Sequence, residues 1–458
     1  MPYTFNTDEE QRQMLEAIEA SSIDDLFACI PESLRLDGPL DLPAALTELE
    51  LAQHMSVLAG RNIPAGERIC FLGGGSYDHF VPAVVDAIAS RSEFLTSYTP
   101  YQPEVSQGNL QAMFEYQTLI CQLTGMDVSN ASLYDGGSAV VEAVLLCMRV
   151  TKRSAKVVTT SSVHPEYRQI IETYFAQLDA ELVTVGAPDG SVSLEELAAA
   201  VDDDTACVLL QHPNFFGCLE DVEAVEKIAH DCGALLALSV DPISLGLLKR
   251  PGDMGADVVV AEGQSLGTPM QYGGPYLGIM ACREKFVRRL PGRIVGQTTD
   301  RRNRRCWVLT LQTREQHIRR EKSTSNICTN QGLFALRAAV YLATLGPQGL
   351  CETANLCLQK SHYAIDQITA DDRFELAFTS PTFKEFVIRD RAGQVDEVLA
   401  AALDSDILAG VSLACWYPDL ADCLLVTVTE KRTKREIDAL ADCFTHASMT
   451  GSVARVSG

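Results

Sequence analysis

Three short segments carry residue types suited to holding an anion, a protonated ring nitrogen and a carbonyl carbon. In Leu133-Tyr-Asp-Gly-Gly-Ser-Ala-Val-Val-Glu-Ala, Gly136 and Gly137 leave backbone N–H groups accessible where a helix begins, and Ser138 adds a hydroxyl. Such a first turn could hold a phosphate, although an ordinary glycine-containing helix start has the same sequence. In Leu235-Leu-Ala-Leu-Ser-Val-Asp241-Pro, an acid follows an apolar run directly, where a carboxylate can stabilise a protonated ring nitrogen. Val258-Val-Val-Ala-Glu-Gly-Gln264-Ser opens the loop after the next run, the place for a lysine that forms a Schiff base. These are elements of a pyridoxal phosphate site with one part missing. No lysine lies between Ala261 and Leu277, the nearest being Lys249 and Lys285, and the amide of Gln264 cannot form an imine.

The elements that must position these groups follow from the hydrophobic pattern. From Arg68 to about Ala281, short apolar runs at 157–158, 182–183, 207–210, 235–240, 258–261 and 276–280 alternate with helical segments at 166–176, 193–201 and 222–232. Strands apolar enough to be buried on both faces, alternating with helices, predict a largely parallel sheet covered by helices. Ligands bind such sheets at the carboxyl ends of the strands. A helix from about 331 to 345 leads to a smaller α+β region, with strands at 383–388 and 423–428 and helices at 394–403 and 437–446. The first sixty residues read as a helical arm, with a capping box at Thr7-Asp-Glu-Glu10 and a second helix over about 42–58. The expected division is therefore an arm over 1–60, a large α/β domain over 61–330 and a small C-terminal α+β domain over 331–458.

Composition narrows the function classes. The chain has 458 residues, 47% apolar and 21% charged, as expected of a globular protein, and a net charge of −24 that repels nucleic acid phosphates and anionic membranes. Fifteen cysteines show no pair two residues apart, so zinc-ribbon and thioredoxin-like spacings are lacking and reduced thiols in the cytoplasm are expected. There is no phosphate loop of the Gly-x-x-x-x-Gly-Lys type and no His-Glu-x-x-His pair, so no metal is expected. Gly73-Gly-Gly75, followed by Ser-Tyr-Asp, reads as a plain turn. The N-terminus offers neither a signal peptide nor a membrane span.

Longer runs carry a resemblance. Tyr98-Thr-Pro-Tyr-Gln-Pro-Glu-Val-Ser-Gln-Gly, the Leu-Tyr-Asp-Gly-Gly-Ser-Ala segment, Pro213-Asn-Phe-Phe-Gly and Leu311-Gln-Thr-Arg-Glu-Gln-His-Ile-Arg-Arg-Glu-Lys-Ser-Thr-Ser-Asn-Ile-Cys-Thr are similar to the glycine cleavage system P-protein family, decarboxylating glycine dehydrogenases, and in particular to its alpha chains. The resemblance covers essentially the full chain. It implies a fold type I pyridoxal phosphate architecture and a division of labour, in which a beta subunit holds the cofactor on its lysine and the alpha chain, with no covalent cofactor, pairs with it in an α2β2 assembly. The complex is then expected to decarboxylate glycine and pass the aminomethyl group to the lipoyl arm of the H-protein. Under that resemblance Gly136, Gly137, Ser138, Asp241 and Gln264 are remnants of a duplicated site.

The same resemblance implies that the alpha chain completes the beta-chain site. Tyr98, Tyr101 and Gln102, on a proline-bounded loop, and Arg314 and His317 are the candidates. The guanidinium of Arg314 can hold a carboxylate with two parallel hydrogen bonds. Arg301, Arg302, Arg304 and Arg305, with Arg314, Arg319, Arg320 and Lys322, make a basic island on an acidic chain. It reads as a solvated face, as an interface pairing with acids, or as a guide for a carboxylate or an acidic H-protein. Two rival functions stay open at this level, a self-sufficient pyridoxal phosphate enzyme using Lys249 or another lysine, and a scaffold that keeps the fold.

Overall fold

The computed structural model describes residues 6–36, 38, 40–323 and 325–454, with side chains of the last helix described through Thr445. Residues up to Ile63 form one unit and those from Pro64 onward another. In the first, helices Asp8–Ala17 and Glu48–Ala59 both start at complete capping boxes, Thr7 with Glu10 and Thr47 with Glu50. The Thr47 box sets the second helix's start six residues later than the hydrophobic pattern suggests. None of the unit's described residues is buried.

The second unit opens with β1 (Ile69–Cys70). A seven-stranded sheet then takes shape from β2 (Val128–Ser129), β3 (Lys156–Thr160), β4 (Glu181–Val185), β5 (Thr205–His212), β6 (Leu235–Val240), β7 (Val258–Glu262) and β8 (Gly278–Cys282). Its spatial order is β2-β8-β7-β6-β5-β3-β4. Strands β3 to β7 are parallel to their neighbours among themselves, whereas β8 runs antiparallel to β7 and to β2. The apolar runs are continuous because both faces are covered. In β7, Val259 and Ala261 join one core cluster while Val258 and Val260 join the other.

Strands β9 (Ile294–Thr299) and β10 (Arg305–Thr310) form a hairpin that raises Arg301, Arg302 and Arg304 at its exposed tip. The helical stretch Gly332–Ile368 breaks at Gly346, with φ of +62°, just before Pro347, which cannot donate to the helical ladder. Beyond it lie β11 (Phe374–Leu376), β12 (Glu385–Asp390), β13 (Ile407–Leu408), β14 (Val411–Ser412) and β15 (Cys423–Thr427). Four of these make an antiparallel sheet, β11-β12-β15-β14, while β13 pairs in parallel with β1. Phe71 accordingly packs with Phe386 and Val426 in the core of the C-terminal sheet. Residues 69–71 thus pack with the C-terminal sheet, a contact that a two-residue parallel pairing leaves no periodicity to read. Among the described residues no helix is long and apolar enough to cross a membrane.

Candidate functional site

Asp241, after β6, and Glu262, the last residue of β7, line one cavity, and Glu262 joins it to Gly136 at the start of helix Gly136–Thr151 and to Gln264. What fills the space between them is protein. Lys384, on the segment entering β12, is 1% exposed and sets its ammonium 2.8 Å from a carboxylate oxygen of Asp241. The same ammonium lies 3.5 Å from the centre of the Tyr77 ring and 3.0 Å from Nε2 of His79. A ring nitrogen would need the position that this charge holds.

The Pro213-Asn-Phe-Phe-Gly segment explains how Lys384 is placed. Asn214 accepts from the backbone N–H groups of Phe216 and Cys218 and donates to Glu220, closing a tight turn. Gly217 sits at φ +81°, and a Cβ there would come within 1.9 Å of the Glu385 carbonyl oxygen. Only glycine lets the β5 loop lie against the chain at Lys384 and Glu385. Glu385 in turn accepts from the Gly74 N–H and the Tyr77 hydroxyl, each at 2.8 Å. Gly73 to Gly75 are thus more than a plain turn, since a Cβ at Gly73 would meet the Thr427 hydroxyl at 1.7 Å.

At the helix start, the anion position is likewise taken. Glu262, the last residue of β7, accepts from the N–H groups of Gly136 at 2.9 Å, Gln264 at 2.8 Å and Leu277 at 3.1 Å. Loss of hydration pushes its carboxyl up to about 8, with the three N–H groups opposing the shift. Asp135 caps the helix by accepting from the Ser138 N–H at 2.7 Å. A phosphate at this turn would find the Gly136 and Ser138 N–H groups engaged and two carboxyl groups beside it. The two glycines serve packing instead: a Cβ at Gly136 would lie 2.4 Å from the Tyr167 hydroxyl, and one at Gly137 would lie 2.5 Å from Ile170.

Gln264 is bound on every side. Its oxygen accepts from the Tyr77 N–H at 2.8 Å, and its nitrogen donates to the carbonyls of Tyr77 and Thr268. The remaining cavity is about 30 Å³, room for a water or two and not for a substituted pyridine ring. Pyridoxal phosphate therefore does not fit this chain: position 264 offers no lysine as an imine partner, the Lys384 ammonium stands at Asp241, and the Glu262 carboxyl fills the space at the helix start. Ser265 does fall in a Gly-x-Ser-x-Gly spacing, from Gly263 to Gly267, but its hydroxyl is buried and meets no partner that could activate it. His79, Cys357 and Glu430 could offer ligand atoms within 4.8 Å of one another, yet His79 and Glu430 already bond each other at 2.6 Å and the Lys384 ammonium repels any cation placed there.

A second, larger cavity of about 470 Å³ gathers three of the residues singled out on the sequence, Tyr101, Arg314 and His317, with Arg293, which sequence reasoning missed. Both arginines are 7% exposed, and the Nε of each has no hydrogen-bond partner. Arg314 donates to the Gly292 carbonyl at 2.7 Å, and Arg293 to the Thr329 carbonyl at 2.9 Å. Burial lowers the Arg314 pKa, with Glu315 opposing. Glu315 stands 3.8 Å from Arg293 and 3.7 Å from His317. Tyr101 meets the His317 ring edge-on at 5.8 Å and lies under Arg293. Tyr98, 89% exposed, lines an adjoining cavity of about 280 Å³ that shares Arg293. Gln102 lines neither cavity; its carbonyl accepts from the Val105 N–H. A place where two buried guanidinium groups keep free N–H bonds beside aromatic rings can orient a carboxylate.

Comparison with known proteins decides the family. The profile of the glycine cleavage system P-protein matches residues 2–444. This chain belongs to the P-protein family. Its relatives include a "Probable glycine dehydrogenase (decarboxylating) subunit 1" of Desulforamulus reducens, 52% identical over 96% of this chain and 98% of that one. A protein of the same name from Carboxydothermus hydrogenoformans is 51% identical over 96% and 99%. A crystal structure of glycine decarboxylase (P-protein) in an inhibitor-bound form superposes with a TM-score of 0.88 at 42% identity, covering 98% of this P-protein chain and all of that one. A sphingosine-1-phosphate lyase of Burkholderia pseudomallei, at 15% identity and a TM-score of 0.66 over 93% and 96%, shares the fold alone. The P-protein chain thus has the fold type I architecture of pyridoxal phosphate enzymes, and within it a cofactor pocket closed by Lys384 and Glu262.

Proposed function

We propose that this chain is the alpha subunit of glycine decarboxylase and acts by completing a site whose pyridoxal phosphate is held by a second chain, the beta subunit. The observation that carries the reading is the pocket behind Asp241, which keeps the cofactor architecture while the Lys384 ammonium and the Glu262 carboxyl fill it. The rival lysines are engaged: Lys249 is exposed and paired with Glu223, and Lys384 is bound to Asp241. With the beta subunit, in an α2β2 assembly of the cytoplasm, the complex decarboxylates glycine and transfers the aminomethyl group to the lipoyl arm of the H-protein. In this reading the chain divides into arm, large and small domains near residues 60 and 330.

Its own residues would contribute orientation. Arg314, with Arg293, would hold a carboxylate at the αβ boundary, Tyr101 and His317 would shape that cavity, and Tyr98 and Gln102 would extend it towards the partner. The arm supports a need for a partner. Leu49, Leu51, Met55 and Val57 are all about half exposed or more, which is unusual for so many apolar side chains on one short helix.

Reconstitution with a beta subunit, H-protein and glycine tests the reading. Bicarbonate exchange into the glycine carboxyl should require this chain, and a mere scaffold would be dispensable. Replacing Arg314 by Lys retains the charge but not the planar fork, so exchange should fall about tenfold or more with the complex still assembled. Loss of assembly would instead assign Arg314 to the interface. A borohydride-reducible cofactor on a lysine of the purified chain would defeat the division of labour.

A further inference from the structure

Arg314 also borders a separate groove of about 520 Å³, whose walls are Arg288, Arg289, Leu311, Thr313, Arg314 and Arg319. Four of the six are arginines and none is an acid. Among the described residues, Arg288, Arg289 and Arg319 make no ion pair, while Glu315, next to Arg314 in sequence, is drawn to Arg293 and His317. Four guanidinium groups around one concavity repel one another, and on a chain of net charge −24 they stand apart from the acidic surface. A solvated face would let such side chains turn into water. Arg314 cannot, being 7% exposed. The described residues supply no ion-pair partner for Arg288, Arg289 or Arg319, which leaves their charge for a partner to meet.

We propose that the groove of Arg288, Arg289, Arg314 and Arg319 docks an acidic segment of the lipoylated H-protein. The inference rests on the reading of this chain as a glycine decarboxylase subunit. Carboxylates suit the site better than a nucleic acid backbone, because the remainder of the acidic chain would repel a long polyanion. Charges of this kind steer association and set its salt dependence more than they change chemistry.

The test is the double variant Arg288→Glu/Arg289→Glu in the assembled αβ complex. The KM for H-protein should rise about tenfold and lose most of its dependence on ionic strength, with kcat within about twofold. Glycine binding, read from the change it causes in cofactor absorbance and requiring no H-protein, should be unaltered. Unchanged KM and salt dependence would overturn the proposal, as would loss of αβ assembly, which would give the groove to the beta subunit. Binding of a single-stranded oligonucleotide that the same variant abolishes, with KM unmoved, would also overturn it. If the unmodified complex turns over no glycine at all, the reading of the chain's function fails instead.

Discussion

Replacing Lys384 by Met removes the charge that faces Asp241 while keeping most of the side-chain volume. The ammonium is within 2.8 Å of Asp241, 3.0 Å of His79 and 3.5 Å of the Tyr77 ring centre, so its loss leaves Asp241 buried opposite a thioether. Breaking a buried pair by removing one partner costs about 3 to 5 kcal/mol, because the other charge stays desolvated. With about 4 kcal/mol and an unfolding entropy of about 2.1 cal/mol/K per residue over roughly 400 residues, the melting temperature should fall by about 5 °C. Replacing Asp241 by Asn in the same chain removes both charges and should recover most of the loss. Urea unfolding of the two single variants and the double variant then gives a coupling of about 2 to 3 kcal/mol. Additive losses, with a coupling under about 0.5 kcal/mol, would refute the view that Lys384 and Asp241 close the pocket as a pair.

Two other perturbations follow from the buried histidines and the arm. His164 and His212 are held down at about 4, chiefly by burial, against about 6.5 when unfolded, so both are neutral in the native chain. Their contribution is complete above pH 6.5 and declines as pH falls towards 4, because the unfolded chain binds the extra protons. His212→Asn keeps an acceptor for the Glu220 N–H, and it should lessen the stability lost between pH 7 and 4.5 by about 2 kcal/mol in urea titrations; an unchanged loss would place the acid sensitivity elsewhere. Deleting residues 1–63 should leave the melting temperature of the isolated chain nearly unaltered, since that unit buries none of its own described residues, and should abolish association with the beta subunit on size-exclusion chromatography. A truncated chain that assembles normally would contradict the arm's role.

The sheet could be read from the chain because its strands are buried on both faces. Val258 to Ala261 and Leu235 to Val240 are continuous apolar runs whose alternate residues serve two different core clusters. Capping boxes mark helix starts for the same local reason, the reach of one side chain to a backbone N–H three residues on. Even there tertiary context intervenes: Ser193 caps its helix by accepting from the Glu196 N–H, but the Glu196 carboxylate accepts from the Gly186 N–H and not from Ser193. Position 264 was informative because lysine chemistry has no substitute there. Its amide turned out to hold the Tyr77 backbone.

Sequence alone therefore determined the fold class, the family and the absence of a Schiff-base lysine where the fold would offer one, since each of these depends on local pattern or residue type. Tertiary structure decided what stands in the vacated site. Lys384 is 143 residues from Asp241, and no periodicity relates them; only the Gly217 turn, pressed against Glu385, brings that lysine to the acid. Glu262 was visible as the last residue of a strand, but its bond to the helix start at Gly136 exists only once β7 lies beside that helix. Arg314 likewise read as one member of a basic run, and Arg293 was not singled out at all, until folding buried both at the wall of one cavity, where neither Nε has a hydrogen-bond partner. Charge in a sequence is a sum, whereas function depends on which charges folding strips of water and which of them it leaves unpaired.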